Sequence, residues 1–125
     1  MSVRLNHTIV HARDKDASAR FLTDLLGLEP PGSYGPFAVV ELGNGVSLDY
    51  MTDSGSISSQ HYAFMVTESE FDAIHARIVE RELEFWADPF HRQPGQLTTN
   101  DGGRGLYWND PDGHNLEIIT VPYGG

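Results

Sequence analysis

The order of predicted secondary structure in the first half of this chain is repeated in the second half. Each half opens with a β-prone segment, at 3–12 and at 60–66, continues with a helix whose apolar residues follow a 3.6-residue period, and closes with further β-prone segments. A polar segment rich in serine separates the halves. The repeat predicts an α+β fold of two βαβββ modules in one domain, with module 1 at 1–52, the connector at 53–59 and module 2 at 60–122.

The helices and the later strands are predicted from apolar periodicity and from the residues that punctuate it. The first helix covers 17–26, and Asp14 or Asp16 is expected to cap it. The second helix is expected to begin at a cap formed by Ser69. The segment 88–103 is predicted as a loop, and loops of this length in small domains tend to be functional. The later strands are predicted at 37–42, 46–51, 83–86, 106–109 and 116–121.

The last two predicted strands form a hairpin around the turn 110–113, Asp-Pro-Asp-Gly. Pro111 presets the φ angle of a turn position, and Gly113 accepts a positive φ without steric cost. The second strand of this hairpin carries Glu117 between apolar neighbours. A carboxylate is rarely buried without a partner, so Glu117 is either a solvated alternate residue or a metal ligand whose partners lie elsewhere in the chain.

Equivalent positions of the two halves supply such partners. Each half offers a histidine at a matching place on its first predicted strand, His7 and His61, and one acid on its last, Asp49 and Glu117. Imidazole nitrogens and carboxylate oxygens together suit Fe(II), Mn, Ni, Co or Zn. The repeat therefore predicts a site for a divalent transition metal with open positions for chemistry.

Charge and composition limit the partners of the chain. The 8 Lys and Arg residues against 18 Asp and Glu residues give a formal net charge of −10, which opposes binding to nucleic acid and to anionic membranes. No apolar run is long enough to span a bilayer and no secretory leader is seen, so a cytoplasmic location is expected. The expected partners are a small molecule, a metal cation and a second copy of the chain.

Three segments and the order of elements resemble the vicinal oxygen chelate superfamily. The segments are 5–7 (Leu-Asn-His), 21–28 (Phe-Leu-Thr-Asp-Leu-Leu-Gly-Leu) and 110–117 (Asp-Pro-Asp-Gly-His-Asn-Leu-Glu). This superfamily contains glyoxalase I, extradiol dioxygenases, fosfomycin-resistance proteins and bleomycin-resistance proteins. The resemblance covers essentially the whole chain, and it implies paired modules around a metal-centred cup, and a homodimer.

The resemblance also implies roles for the four residues. The metal ligands of the family fall on His7, His61 and Glu117, and Asp49 falls where glyoxalase I has a glutamate that acts as ligand and catalytic base. Asp49 is one methylene shorter than that glutamate, so it is a possible fourth ligand. Asp49 and Glu117 are accordingly the candidate catalytic residues.

The expected function is that of a divalent-metal-dependent enzyme acting on a small substrate chelated through vicinal oxygens. The resemblance leaves a glyoxalase-like lyase or isomerase and an extradiol-dioxygenase-like enzyme both open. The alternatives are a metal-free binding or antibiotic-resistance protein and an epoxide-opening transferase of the fosfomycin type. The last is disfavoured because Arg92 and Arg104 are the only late basic residues, whereas fosfomycin-resistance proteins carry several to hold a phosphonate.

Four further residues are candidates for substrate binding. Tyr107 has the strand parity that directs its hydroxyl towards the cup, and it could equally be a packed hairpin aromatic. His91 and Arg92 lie in the long loop, where they either cover the site or face solvent. Arg104 precedes the hairpin and completes this set.

Overall fold

A computed structural model describes residues 2–122 of the chain. These residues form two compact units that divide between residues 57 and 58, inside the predicted connector. Each unit consists of a small sheet with one helix. No helix within 2–122 combines the length and apolar character needed to cross a membrane.

Module 1 folds as a four-stranded sheet and one helix. Its elements are β1 (His7–Ala12), α1 (Lys15–Leu26), β2 (Gly32–Tyr34), β3 (Phe37–Glu41) and β4 (Ser47–Thr52). The strand order is β1-β4-β3-β2, with β1 and β4 parallel and the other pairs antiparallel.

The two faces of this sheet differ in polarity because strand side chains alternate. Val10, Leu48 and Tyr50 point to the apolar face and are buried, as are Leu22 and Leu25 of α1. Burying a side chain of this kind stabilises a fold by about 1.5–3 kcal/mol, so this face holds α1 in place. The opposite face carries His7 and Asp49 together with the apolar side chains of Ile9 and Val39.

Module 2 has the same plan with a smaller sheet. Its elements are β5 (His61–Met65), α2 (Glu68–Glu80), a 3₁₀ turn (Asn100–Gly102), β6 (Gly105–Asn109) and β7 (Asn115–Ile119). The strand order is β5-β7-β6, so β7 is the central strand, parallel to β5 and antiparallel to β6. Phe64, Leu106, Trp108, Leu116 and Ile118 alternate onto the apolar face and are buried, as are three residues of α2, Phe71, Ile74 and Ile78.

The predicted α+β class is confirmed, and the predicted bounds of several elements need correction. Strand β1 begins at His7 rather than at residue 3, because its ladder partner β4 begins at Ser47, opposite His7. The short strand Gly32–Tyr34 lies where a loop was predicted. The strand predicted at 83–86 is reduced to isolated bridges of Trp86 with Pro94 and Tyr107.

The cap of α2 also differs from the prediction. Thr67, not Ser69, occupies the cap position: its hydroxyl accepts a hydrogen bond from the Glu70 amide, and the Glu70 carboxylate accepts one from the Thr67 amide. This reciprocal pair satisfies two amide donors at the helix start, which a lone serine two residues later would leave unpaired. The cap of α1 is Asp14, one of the two predicted residues.

Candidate functional site

Glu117 lies at the middle of the central strand of module 2. Its direct neighbours in the sheet are Ala63 on β5 and Tyr107 on β6, and all three side chains share the face opposite α2. Glu117 is 1% exposed. A carboxylate at this depth needs charged or hydrogen-bonding partners to offset its desolvation.

One partner is His61, at the start of β5. Its Nε2 atom lies 2.9 Å from Oε1 of Glu117, and 45% of the His61 side chain is exposed. The His61 ring also contacts the ring of Tyr107, with centroids 5.7 Å apart. Module 2 therefore presents an imidazole and a carboxylate side by side, with the imidazole open to solvent and the carboxylate covered.

His7 and Asp49 occupy corresponding places in module 1. His7 pairs with Ser47 and Ile9 pairs with Asp49 across the parallel strands β1 and β4, so the His7 and Asp49 side chains share the face opposite α1. The Ser47 hydroxyl donates to Oδ1 of Asp49 at 2.9 Å, and Nδ1 of His7 lies 2.7 Å from Oδ1 of Asn6.

A cavity of about 710 Å³ opens on this face of module 1. A volume of this size holds a drug-sized ligand. Its lining joins carboxylates with aromatic side chains, and none of its lining residues is Lys or Arg: His7, Asp49, Glu29, Glu41, Tyr34 and Phe37 are among them. An anionic ligand would meet uncompensated negative charge here.

The structure brings the four predicted residues together in pairs. His61 and Glu117 are in contact within module 2, and His7 and Asp49 share one cavity within module 1. Within residues 2–122, no group of three histidine or acidic side chains has the geometry of a complete metal site. The assignment of His7, His61 and Glu117 as ligands, and of Asp49 as a fourth, stays a prediction.

Arg104 engages neighbours in module 2. Its guanidinium group contacts the carboxylates of Glu68 and Asp72, at 2.8 Å and 2.9 Å, and lies 4.4 Å from the centroid of the Phe71 ring. The hydrogen bond with Asp72 raises the pKa of Arg104 further above its ordinary value. Arg104 has the strand parity of Leu106, on the α2 side of the sheet, whereas Tyr107 shares the face of Glu117.

The two remaining substrate-binding candidates lie in the loop after Trp86. Arg92 is exposed and its guanidinium carbon lies 5.5 Å from the centroid of the Phe90 ring. The His91 ring stacks on Trp86 and its Nε2 atom lies 3.2 Å from Oδ1 of Asn115. The roles of Tyr107, His91, Arg92 and Arg104 in substrate binding stay predictions.

Sequence reasoning did not single out Asn115 or Trp86. Asn115 pairs with His61 and stands two residues before Glu117 on the same face of β7. Strand parity with Glu117 was the available signal for Asn115. Trp86 had no such signal, because its position depends on an isolated bridge to Tyr107 that no local pattern predicts.

The turn 110–113 carries a buried polar cluster. Oδ1 of Asp110 accepts hydrogen bonds from the amides of Asp112 and His114, and Nδ1 of His114 accepts one from the amide of Gln60. Burial raises the pKa of Asp110, and its Oδ2 atom accepts no hydrogen bond from any of residues 2–122. These contacts hold the turn, and through it the β6–β7 hairpin.

Comparison with known proteins decides the family. The family model described as the Glyoxalase/Bleomycin resistance protein/Dioxygenase superfamily matches residues 4–118. The chain belongs to this superfamily. The resemblance inferred from the sequence is thereby confirmed, and so is the predicted fold, since solved members share it: a fosfomycin resistance protein, FosX, from Listeria monocytogenes superposes with a TM-score of 0.72 at 20% identity, covering 100% of this chain and 96% of that one.

Other members of the superfamily are more similar in sequence. A solved structure named Oxidase ChaP-H1 is 65% identical, with a TM-score of 0.97, and the match covers 99% of this chain and all of that one. Oxidase ChaP-H2 is 62% identical, with the same TM-score and coverage of 100% and 98%. Glutathione transferase FosA of Serratia marcescens is 28% identical over 120 residues, which are 91% of this chain and 78% of that protein.

Proposed function

We propose that this protein is a metal-dependent oxidase of the superfamily that acts on a small organic substrate presenting two neighbouring oxygens. The contact between His61 and the buried Glu117 carries the metal part of the proposal. The 65% identity with Oxidase ChaP-H1 over 99% of this chain supports an oxidase rather than a lyase or an isomerase.

The residues fit a divalent transition metal. A buried carboxylate beside a solvent-open imidazole supplies two ligands of the two-histidine, one-carboxylate set, and His7 would supply the third. A divalent ion bound by these groups would polarise the substrate oxygens and, as Fe(II), would permit chemistry with O₂. Fe(II), Mn, Ni, Co and Zn all suit the donors.

The protein's own residues then have separate tasks. Glu117 is held in place by its burial in the central strand, and its negative charge lowers the free energy of a nearby cation. Asp49 receives the Ser47 hydroxyl on one oxygen and keeps the other available, so it can accept a proton from a substrate hydroxyl at that oxygen. Tyr107, 7% exposed, packs against the ring of His61 and would help to orient it.

Two other functions have a specific observation in their favour. The acidic and aromatic cavity of module 1 suits a metal-free protein that sequesters a cationic ligand, as bleomycin-resistance proteins do. The similarity to FosA suggests an epoxide-opening transferase. The transferase is the weaker candidate, because no Lys or Arg lines the module 1 cavity and Arg104 is already paired with Glu68 and Asp72.

Metal binding by the chelator-treated protein tests the proposal. We expect titration calorimetry with Co(II) or Fe(II) under nitrogen to give one equivalent per chain, and His61→Ala or Glu117→Ala to weaken binding at least about 100-fold, since each removes a ligand. His75→Gln, on α2 at the opposite side of the sheet, is the matched control and should bind as the wild type does.

Two results of these measurements would contradict the proposal. Binding below about a tenth of an equivalent in the wild type, with no thermal stabilisation by any of the five metals, would favour the ligand-sequestering protein. Unchanged affinity in both the His61 and Glu117 variants would overturn the site assignment.

A further inference from the structure

The loop that follows Trp86 is held in one conformation by hydrogen bonds between its own residues. The Asp88 carboxylate accepts hydrogen bonds from the backbone amides of Arg92 and Gln93, at 2.8 Å each, and the amide of Ala87 donates to the carbonyl of Gln93. These bonds fold residues 88–93 back towards the sheet. The loop therefore presents its side chains in set positions.

His91 is the residue that this loop holds under strain. Its φ angle is +59°, a left-handed conformation that residues other than glycine rarely adopt, at a cost of about 1–2 kcal/mol. Its ring stacks on the Trp86 indole with centroids 3.7 Å apart and planes 10° apart. Such strain persists where the surrounding structure imposes it, and it occurs most often at functional sites.

The hydrogen bonds of Asn115 determine which nitrogen of His91 carries the proton. The carbonyl of Pro89 can only accept, so Asn115 donates to it through Nδ2. Oδ1 of Asn115 is then the atom that faces His91, and it can only accept, so Nε2 of His91 is the donor. In the neutral ring Nδ1 is therefore an acceptor, and no donor among residues 2–122 reaches it.

The loop is attached on two sides of the His61–Glu117 pair. Asn115 is the sheet partner of His61 and lies two residues before Glu117 on the same face. Trp86 forms a bridge with Tyr107, which is the sheet partner of Glu117. His91 is thus fixed by the residues that flank the candidate ligands.

We propose that His91 contacts the substrate, and that its Nδ1 atom accepts a hydrogen bond from a substrate hydroxyl beside His61 and Glu117. The inference rests on the proposed function for the position of the substrate. It adds that the substrate keeps a hydroxyl proton when bound, and that the loop selects for hydroxylated molecules.

Two substitutions separate recognition of substrate from support of the loop. His91→Gln places an amide NH₂ near the position of Nε2, so it keeps the donor to Asn115 and removes the Nδ1 acceptor. His91→Asn places a carbonyl oxygen near the position of Nδ1 and gives up the bond to Asn115. A role through the hydrogen bond to Asn115 is rescued by glutamine, and a role in substrate recognition is rescued by asparagine. Equal thermal unfolding temperatures of the two variants exclude the left-handed backbone at residue 91, which asparagine tolerates better, as the cause of the difference.

The probe is 4-nitrocatechol, whose visible spectrum reports its ionisation, added under nitrogen to Co(II)-loaded protein. We expect His91→Gln to weaken its binding about tenfold, which is the loss of one hydrogen bond, and His91→Asn to stay within about threefold of the wild type. Equal affinity in the wild type and His91→Gln, or rescue by glutamine rather than asparagine, would overturn the proposal.

Two measurements keep this test apart from that of the metal site. Both His91 variants should bind Co(II) with wild-type stoichiometry, whereas failure of the proposed function would appear as absent metal binding in the wild type itself. In the metal-free protein, long-range ¹⁵N–¹H spectra should show His91 protonated at Nε2. Protonation at Nδ1 instead would contradict the inference without reference to any metal or substrate.

Discussion

At the scale of single residues, individual buried side chains determine most of the chemistry that the two sheets can support. Glu117 is 1% exposed and Asp110 is 6% exposed, yet the two acids are held differently. Glu117 has an imidazole at 2.9 Å, whereas Oδ2 of Asp110 accepts nothing from the described part of the chain. Burial without such a partner favours the neutral form of a carboxyl group.

The raised pKa of Asp110 predicts a pH dependence of stability. The folded state holds the proton more tightly than the unfolded state, so the free energy of unfolding falls as the pH rises from the ordinary value of 3.8 through the raised pKa, and the contribution is fully present below 3.8. Asp110→Asn keeps an oxygen for the amides of Asp112 and His114 and removes the charge.

Urea unfolding at a series of pH values measures this effect. We expect the Asp110→Asn variant to lose less stability than the wild type between pH 4 and pH 7, while Asp101→Asn, which alters an exposed acid of the same module, should follow the wild-type curve. Parallel curves for the wild type and the Asp110→Asn variant would show that burial does not perturb this carboxyl group.

At the scale of elements, each sheet pairs an apolar face with a face that carries the candidate ligands. Parallel pairing of β5 with β7 brings His61 within reach of Glu117, although 56 residues separate them in the chain. Helix α2 covers the other face, and Arg104 joins that helix to the start of β6 through Glu68 and Asp72. The helices thus support the sheets that carry the candidate ligands, and they contribute no candidate ligand themselves.

The capping box at the start of α2 predicts a measurable contribution to stability. Thr67→Ala removes the hydroxyl that accepts the Glu70 amide, and we expect it to lower the free energy of unfolding by about 1 kcal/mol. Ser69→Ala is the matched control, since Ser69 lies inside the helix and touches the cap only through a long 3.3 Å contact with the Thr67 hydroxyl, and it should change stability by less than about 0.5 kcal/mol. Urea titration followed by circular dichroism measures both variants. A larger loss in the Ser69 variant would restore the cap predicted from the sequence.

At the scale of the whole molecule, the homodimer that the family resemblance implies stays a prediction. Ile9 and Met65 lie on the ligand-bearing faces of the two modules and are 40% and 54% exposed in the single chain. A second copy of the chain would cover such side chains. The cytoplasmic location expected from the sequence stays a prediction.

The homodimer is tested by static light scattering of the purified protein. We expect twice the chain mass of 13.9 kDa, because a second copy can bury exposed apolar side chains such as Ile9 and Met65. A mass of one chain across the micromolar range would contradict it.

The exchange of modules between two chains is tested by unfolding and refolding the His7→Ala and Glu117→Ala variants together. In a dimer that exchanges modules, random reassortment should restore roughly a quarter of the metal sites. In a dimer that does not exchange modules, no metal site should be restored.

The sequence by itself determined the features that depend on the alternation of residues within one segment and on the residues of one turn. Alternation along single strands placed His7 on one face with Ile9 and His11, and Tyr107 on one face with Gly105 and Asn109. Asp-Pro-Asp-Gly predicted the turn of the last hairpin. The family followed from the same local segments, which the match over residues 4–118 confirms.

Only the tertiary structure decided which distant side chains touch. The contact of His61 with Glu117, the bond of His91 with Asn115 and the pairing of Arg104 with Glu68 each join residues far apart in the chain. Such contacts depend on the register of parallel strands and on the path of a long loop. No periodic pattern of residues in the sequence specifies the strand register or the loop path, because both are selected by the packing of the folded chain as a whole.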